Sequence, residues 1–117
     1  MHIEIHTDKS IEGSQELREE VRGLVEPPLR RFATRITRVE VHLSDPSGGH
    51  GQPLVRCTIE ARLARLDPIA ASDEATRVKQ AIAGAVDKMK RMLTEDSDRS
   101  HDHHDHAHGE ARGQRKS

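Results

Sequence analysis

The sequence predicts an α+β fold of order β-α-β-β-β-α: a four-stranded mixed sheet with two helices packed on one face. Three observations carry that prediction. Residues 38–44 and 55–63 alternate polar and apolar side chains, the period of half-buried strands. Two other stretches, around 14–32 and 75–93, repeat apolar residues every three or four positions, as a helix buried along one side does. Turn-forming residues separate these stretches, most clearly Asp45-Pro46-Ser47-Gly48-Gly49.

The first element is a short strand over residues 2–7, with His2, Glu4 and His6 on one side and Ile3 and Ile5 on the other. A loop over residues 8–13 leads to Ser14, which can cap a helix. Leu17, Val21, Leu24 and Val25 then follow at helical spacing, and Leu29 and Phe32 continue the stripe. Pro27 and Pro28 interrupt it. Pro27 lacks a backbone donor and its ring crowds the carbonyl of Gly23. A kinked helix or a short break near residue 26 is expected, then a further turn or two to about Ala33.

The hairpin strands fall at about 36–45 and 54–65, and Asp67-Pro68 makes a tight link to a shorter strand from Pro68 to Ser72. The second helix is expected from about Asp73, as its cap, to about Thr94. Its apolar stripe is Ala75, Val78, Ile82, Ala85, Met89 and Leu93. Gly84 in mid-helix costs about 1 kcal/mol relative to Ala, which points to close packing there. A strand-helix-strand unit implies a parallel pair with a right-handed crossover, and the short turns make the remaining strands antiparallel.

The 117 residues bound one small domain plus a tail. The domain is expected over residues 1–95. From Glu95 onward no hydrophobic period survives, so residues 96–117 read as a disordered His-rich tail. A hydrophobic content of 32% allows a modest core but not a deep cavity, so no small-molecule substrate is expected. The formal net charge of −1 does not announce a nucleic-acid binder; any electrostatic case rests on where the charges sit. One Phe and no Trp or Tyr exclude a module that stacks bases on aromatic platforms. The start Met-His-Ile-Glu-Ile-His has neither a basic nor an apolar leader region, and no apolar run approaches the roughly 20 residues of a membrane span. A cytoplasmic protein without a membrane partner is the expectation.

The cations supply the candidate site. With the second helix phased on its stripe, Arg77, Lys88 and Arg91 fall on one flank and Lys79 and Lys90 on the other. The first helix brings Arg18 and Arg22, and Arg30, Arg31 and Arg35 follow the prolines. Two helices side by side would present a basic surface interrupted by acids. It suits phosphate contacts, but it also suits a solvated surface of ion pairs with Glu16, Glu19, Glu20 and Glu26.

The wording of the hairpin, Arg35-Ile-Thr-Arg-Val-Glu-Val-His-Leu-Ser-Asp45 followed by Val55 to Leu63, resembles the ribosome hibernation promoting factors, or ribosome-associated translation inhibitors. This family was once called the sigma-54 modulation proteins. Pro68-Ile69-Ala70 and the pattern Gln80-Ala81-Ile82-x-Gly84-x-x-Asp87-Lys88-x-x-Arg91-x-Leu93 are similar to the corresponding family segments, and the likeness runs from about residue 1 to 95. A His-rich tail in place of a second domain makes the chain resemble the short form.

The resemblance implies a non-enzymatic protein that binds the 30S subunit, its 16S rRNA and the 70S ribosome in the mRNA and tRNA channel, and silences idle ribosomes under stress. It implies no cofactor and a monomer off the ribosome. Lys88 and Arg91 are the best positional matches for rRNA contact, followed by Lys79, Lys90, Arg22, Arg30 and Arg31, with Arg35 and Arg38 as contributors at the start of the strand. Two other readings stand beside this one. The chain could be a generic double-stranded RNA-binding module, or a metal-handling protein acting through its tail. The tail offers His101, His103, His104, His106 and His108 as weak metal candidates, without the ordered spacing of a structural zinc site.

His2, His6, Glu40 and His42 form a possible His/Glu cluster on the open side of the sheet, which reads more simply as a solvated face. No nucleophile elbow, phosphate loop or paired-carboxylate motif supports an enzyme. The single Cys57 alternates onto the apolar side and reads as a core thiol.

Overall fold

A computed structural model describes residues 1–48 and 50–105, with side chains described to residue 95. The elements are β1 (His2–Thr7), α1 (Gln15–Leu29), a 3-10 turn (Arg30–Phe32), β2 (Ile36–Ser44), β3 (Val55–Leu63), β4 (Ile69–Ala75) and α2 (Val78–Asp105). The sheet order is β1-β2-β3-β4. β1 and β2 are parallel, and β2-β3 and β3-β4 are antiparallel. This is the mixed four-stranded α+β architecture that the sequence predicts.

Alternation decides the two faces of the sheet. Ile3, Ile5, Val39, Val41, Leu43, Val55, Cys57, Ile59, Ala61 and Ala71 are buried on one face. There they meet Val21, Val25 and Leu29 of α1 and Ala81, Ile82, Ala85, Val86, Met89 and Leu93 of α2. α2 packs on β3 and β4, while α1 lies beside α2 and over β1. The polar positions of all four strands form the opposite face, which no helix covers.

Local chemistry explains most boundaries. The Ser14 hydroxyl accepts from Leu17 N at 3.1 Å and starts α1. Asp45 closes the turn after β2 by accepting from Ser47 N at 2.8 Å through its carboxylate, while its own carbonyl accepts from Gly48 N.

Three boundaries differ from expectation. Of the two outcomes expected near residue 26, a kink or a break, the break is absent: α1 continues through Pro27 and Pro28 to Leu29, and the further turn expected to about Ala33 follows as the 3-10 turn Arg30–Phe32. The prolines occupy its last turn, so only the carbonyls of Gly23 and Leu24 lose a helical donor, and Gly23 has open space around it. The chain then tightens into the 3-10 turn.

β4 runs on to Ala75, so Asp73 pairs with Cys57 in the ladder and does not cap a helix. β3 is nine residues long and offers partners that far, and its hydrogen bonds outweigh an early helix start. α2 instead opens where Arg77 O accepts from Ala81 N at 3.1 Å.

The third difference is the end of α2, whose backbone reaches Asp105 and so passes the expected end near Thr94. The rest of the tail, and the side chains of His101, His103, His104, His106 and His108, lie outside the described residues.

Candidate nucleic-acid interface

Two contacts set the relative direction of the helices. Lys79, one residue into α2, pairs with Glu20 of α1 at 3.4 Å. Farther along, the Arg31 guanidinium donates to Thr94 Oγ1 at 3.2 Å. The helices therefore run the same way, and the 3-10 turn after α1 meets α2 near residue 94. Arg35 ties the same corner, donating to Leu93 O at 3.3 Å. Leu29 and Phe32 are buried beneath it.

That corner gathers cations. Arg30 and Arg31 are exposed on the 3-10 turn, with the Arg31 guanidinium 4.7 Å from the centre of the Phe32 ring. Lys90 and Arg91 line an open hollow on α2 with Asp87, Thr94 and Glu95. Arg22 is exposed too, but it lies earlier on α1, two residues from the Glu20 that pairs with Lys79 at the start of α2, and so outside this corner. Among the described residues, no ion pair or side-chain hydrogen bond engages Arg22, Arg30, Lys90 or Arg91. Their charge is available to an outside anion.

The remaining candidates sit elsewhere. Lys88 leans over the edge of β4, donating to Ser72 O at 2.9 Å and to Asp73 Oδ1 at 3.3 Å. It faces away from α1, so the structure separates it from Lys90 and the 3-10 turn. Lys79 is 70% exposed but already paired with Glu20. Arg18 is spoken for by Ile5 O at 2.9 Å and Gly13 O at 3.2 Å. Arg38 lies on the open face of the sheet, hydrogen-bonded to Glu40, and this bond raises its pKa above the usual arginine value. Arg31, Lys90 and Arg91 thus come together, whereas Lys79, Lys88 and Arg38 do not join them.

Thr94 is the part of this corner that sequence reasoning missed. Helical phase puts it beside Lys90, but the proline pair hid the phase of Arg31, and with it the contact between them.

Two solved structures share this fold. A ribosomal subunit interface protein from Coxiella burnetii aligns with a TM-score of 0.64 at 18% identity, covering 83% of this chain and 98% of its own. The N-terminal domain of Protein Y from Thermus thermophilus aligns with a TM-score of 0.60 at 20% identity, covering 81% of this chain and 98% of its own. At such identities the likeness is one of fold. Sequence decides the family: residues 3–101 match the family described as Sigma 54 modulation protein / S30EA ribosomal protein. The chain belongs to that family. No curated protein is similar enough to count as a match. The S30EA match runs from Ile3 in β1 to residue 101 in α2, so it takes in every cation of the corner. Among the described residues, no helix is long and apolar enough to cross a membrane.

Proposed function

We propose that this S30EA-family chain is a ribosome-associated hibernation factor. It binds the small subunit in the channel for mRNA and tRNA, contacts 16S rRNA, and silences 30S subunits and 70S ribosomes under stress. It acts in the cytoplasm, by binding and not by catalysis, and is monomeric off the ribosome. The observation that carries this reading is the family match over residues 3–101, joined to a cationic corner where the 3-10 turn after α1 meets α2.

The physical mechanism is occupancy. Arg22, Arg30, Arg31, Lys90 and Arg91 project from a rigid two-helix layer. Arginine and lysine so placed neutralise phosphates and displace counterions, a source of affinity that needs no aromatic stacking. With one Phe, and that one buried, the chain is suited to phosphate and shape recognition. Lys79 and Lys88 are secondary contacts, because each must first leave an acidic partner.

Chemical probing of 16S rRNA in 30S subunits tests the location. Protection by the full chain should map to the channel that holds mRNA and tRNA. A pattern unchanged by saturating protein, or one confined to the solvent side of the subunit, contradicts the reading. Equal binding to bulk duplex RNA would favour a generic double-stranded RNA-binding module.

A further inference from the structure

The sheet face opposite the helices carries a second arrangement. β1 reads His2-Ile3-Glu4-Ile5-His6 and β2 reads Arg38-Val39-Glu40-Val41-His42. The parallel register sets these side by side, pairing Glu4 with Glu40 and His6 with His42. The imidazoles of His6 and His42 stack with ring centres 4.7 Å apart. Glu40 Oε1 lies 3.4 Å from His42 Nε2 and 3.9 Å from His6 Nε2.

We propose that His6, His42 and Glu40 form a binding site for a divalent ion of the zinc class, with solvent filling the fourth position. The three groups offer ligand atoms that all lie within 4.8 Å of one another. A tetrahedral zinc ion with bonds of about 2.0–2.1 Å holds its ligand atoms about 3.3 Å apart. The Glu40–His42 distance is already near that edge length, and the two imidazoles turn out of their stack on binding, so that both Nε2 lone pairs, which lie in the ring planes, meet at one ion. Two imidazoles with a carboxylate favour zinc and its late first-row neighbours over magnesium or calcium.

The surroundings orient the ligands. Arg38 and Arg62 both reach Glu40 Oε2, Arg62 at 3.6 Å. They occupy one carboxylate oxygen and leave Oε1 aimed at the histidines, the outer-shell role that fixes ligand direction in metal sites. Both histidine side chains are 48% exposed, so an ion can enter from solvent. Bound there, it would cross-link β1 to β2, the parallel pair of the sheet. The site lies on the sheet face away from the cationic corner, so it does not rest on the ribosome reading.

The test adds Zn²⁺ alone to the full chain and follows each histidine side chain by heteronuclear NMR. The ring signals of His6 and His42 should shift together and saturate with one ion per chain at that site, whatever the tail histidines do. In a His42→Gln chain the His6 response should need at least tenfold more Zn²⁺. A response confined to other histidines while His6 and His42 stay in place overturns the proposal. So does a His6 response that His42→Gln leaves unchanged. The wild-type titration decides the matter even where a variant folds poorly.

Discussion

Gly84 of α2 lies directly against Asp73 of β4: a Cβ built on Gly84 would sit 1.6 Å from Asp73 Oδ2 and 2.6 Å from its Cγ. The helix can approach the strand here only because residue 84 has no side chain. Asp73 in turn receives Lys88 from the next turn of α2.

Gly84→Ala should therefore destabilise the fold, although Ala is the better helix former by about 1 kcal/mol. Displacing Asp73 costs about 1–3 kcal/mol as an overpacked contact, and the Lys88 pair weakens with it. Denaturant unfolding of Gly84→Ala, Asp73→Ala and the double variant checks this. The Gly84→Ala cost should shrink in the Asp73→Ala background, and strict additivity would show that the two residues do not conflict.

Glu40 sets a pH dependence. The hydrogen bond from Arg38, aided by the nearby charges of Arg38 and Arg62, holds its carboxyl below the usual value of 4.5. A depressed carboxyl stabilises the fold above its unfolded pKa, and that contribution is lost as pH falls through the lower folded value. The wild-type chain should thus be more stable than Glu40→Gln at pH 6, and the gap should narrow as the pH falls below 4.5 and through the lower folded value. A gap that widens on acidification would contradict this.

Cys57 should resist modification. Burial pushes its thiol up to about 12, with the charge of Asp73 adding to the effect. At pH 8 the native thiol is neutral and enclosed, so reaction with a disulfide reagent should proceed only at the rate at which the chain opens. Prompt stoichiometric labelling would place Cys57 outside the core.

Ser14→Ala removes the hydroxyl that caps α1 and should cost about 1 kcal/mol, read as a lower unfolding midpoint. Ser14→Asp should restore the midpoint, because a carboxylate accepts the same bond and suits the positive end of the helix. Loss of stability in both variants would mean that the hydroxyl acts through some other contact.

Much of this was legible because period is a local property. Alternation in Val55 to Leu63 places Cys57 in the core, and the 3-4 spacing of Ile82, Ala85, Met89 and Leu93 gives the buried side of α2. Long-range competition was not legible. Asp73 has the chemistry of a helix cap, yet it stays in the ladder because β3 extends far enough to pair with it. Pro27 and Pro28 signal a break, but their place in the last turn of α1 removes most of the cost. Helical phase predicts that Lys88 and Arg91 share a flank. It cannot show that the edge of β4 takes up Lys88 and leaves Arg91 free to join Lys90.

Co-sedimentation with purified 30S and 70S ribosomes over a salt series tests most directly whether the corner made by the 3-10 turn and α2 holds rRNA. The wild-type chain should pellet with both at low salt and be released as salt rises. Substituting Arg30, Arg31, Lys90 and Arg91 with Glu should weaken binding at least tenfold. It should also flatten the logarithmic salt dependence by roughly 0.7–0.9 for each phosphate that is no longer neutralised. Ribosome affinity unchanged by these substitutions, with the fold intact by circular dichroism, would contradict the account.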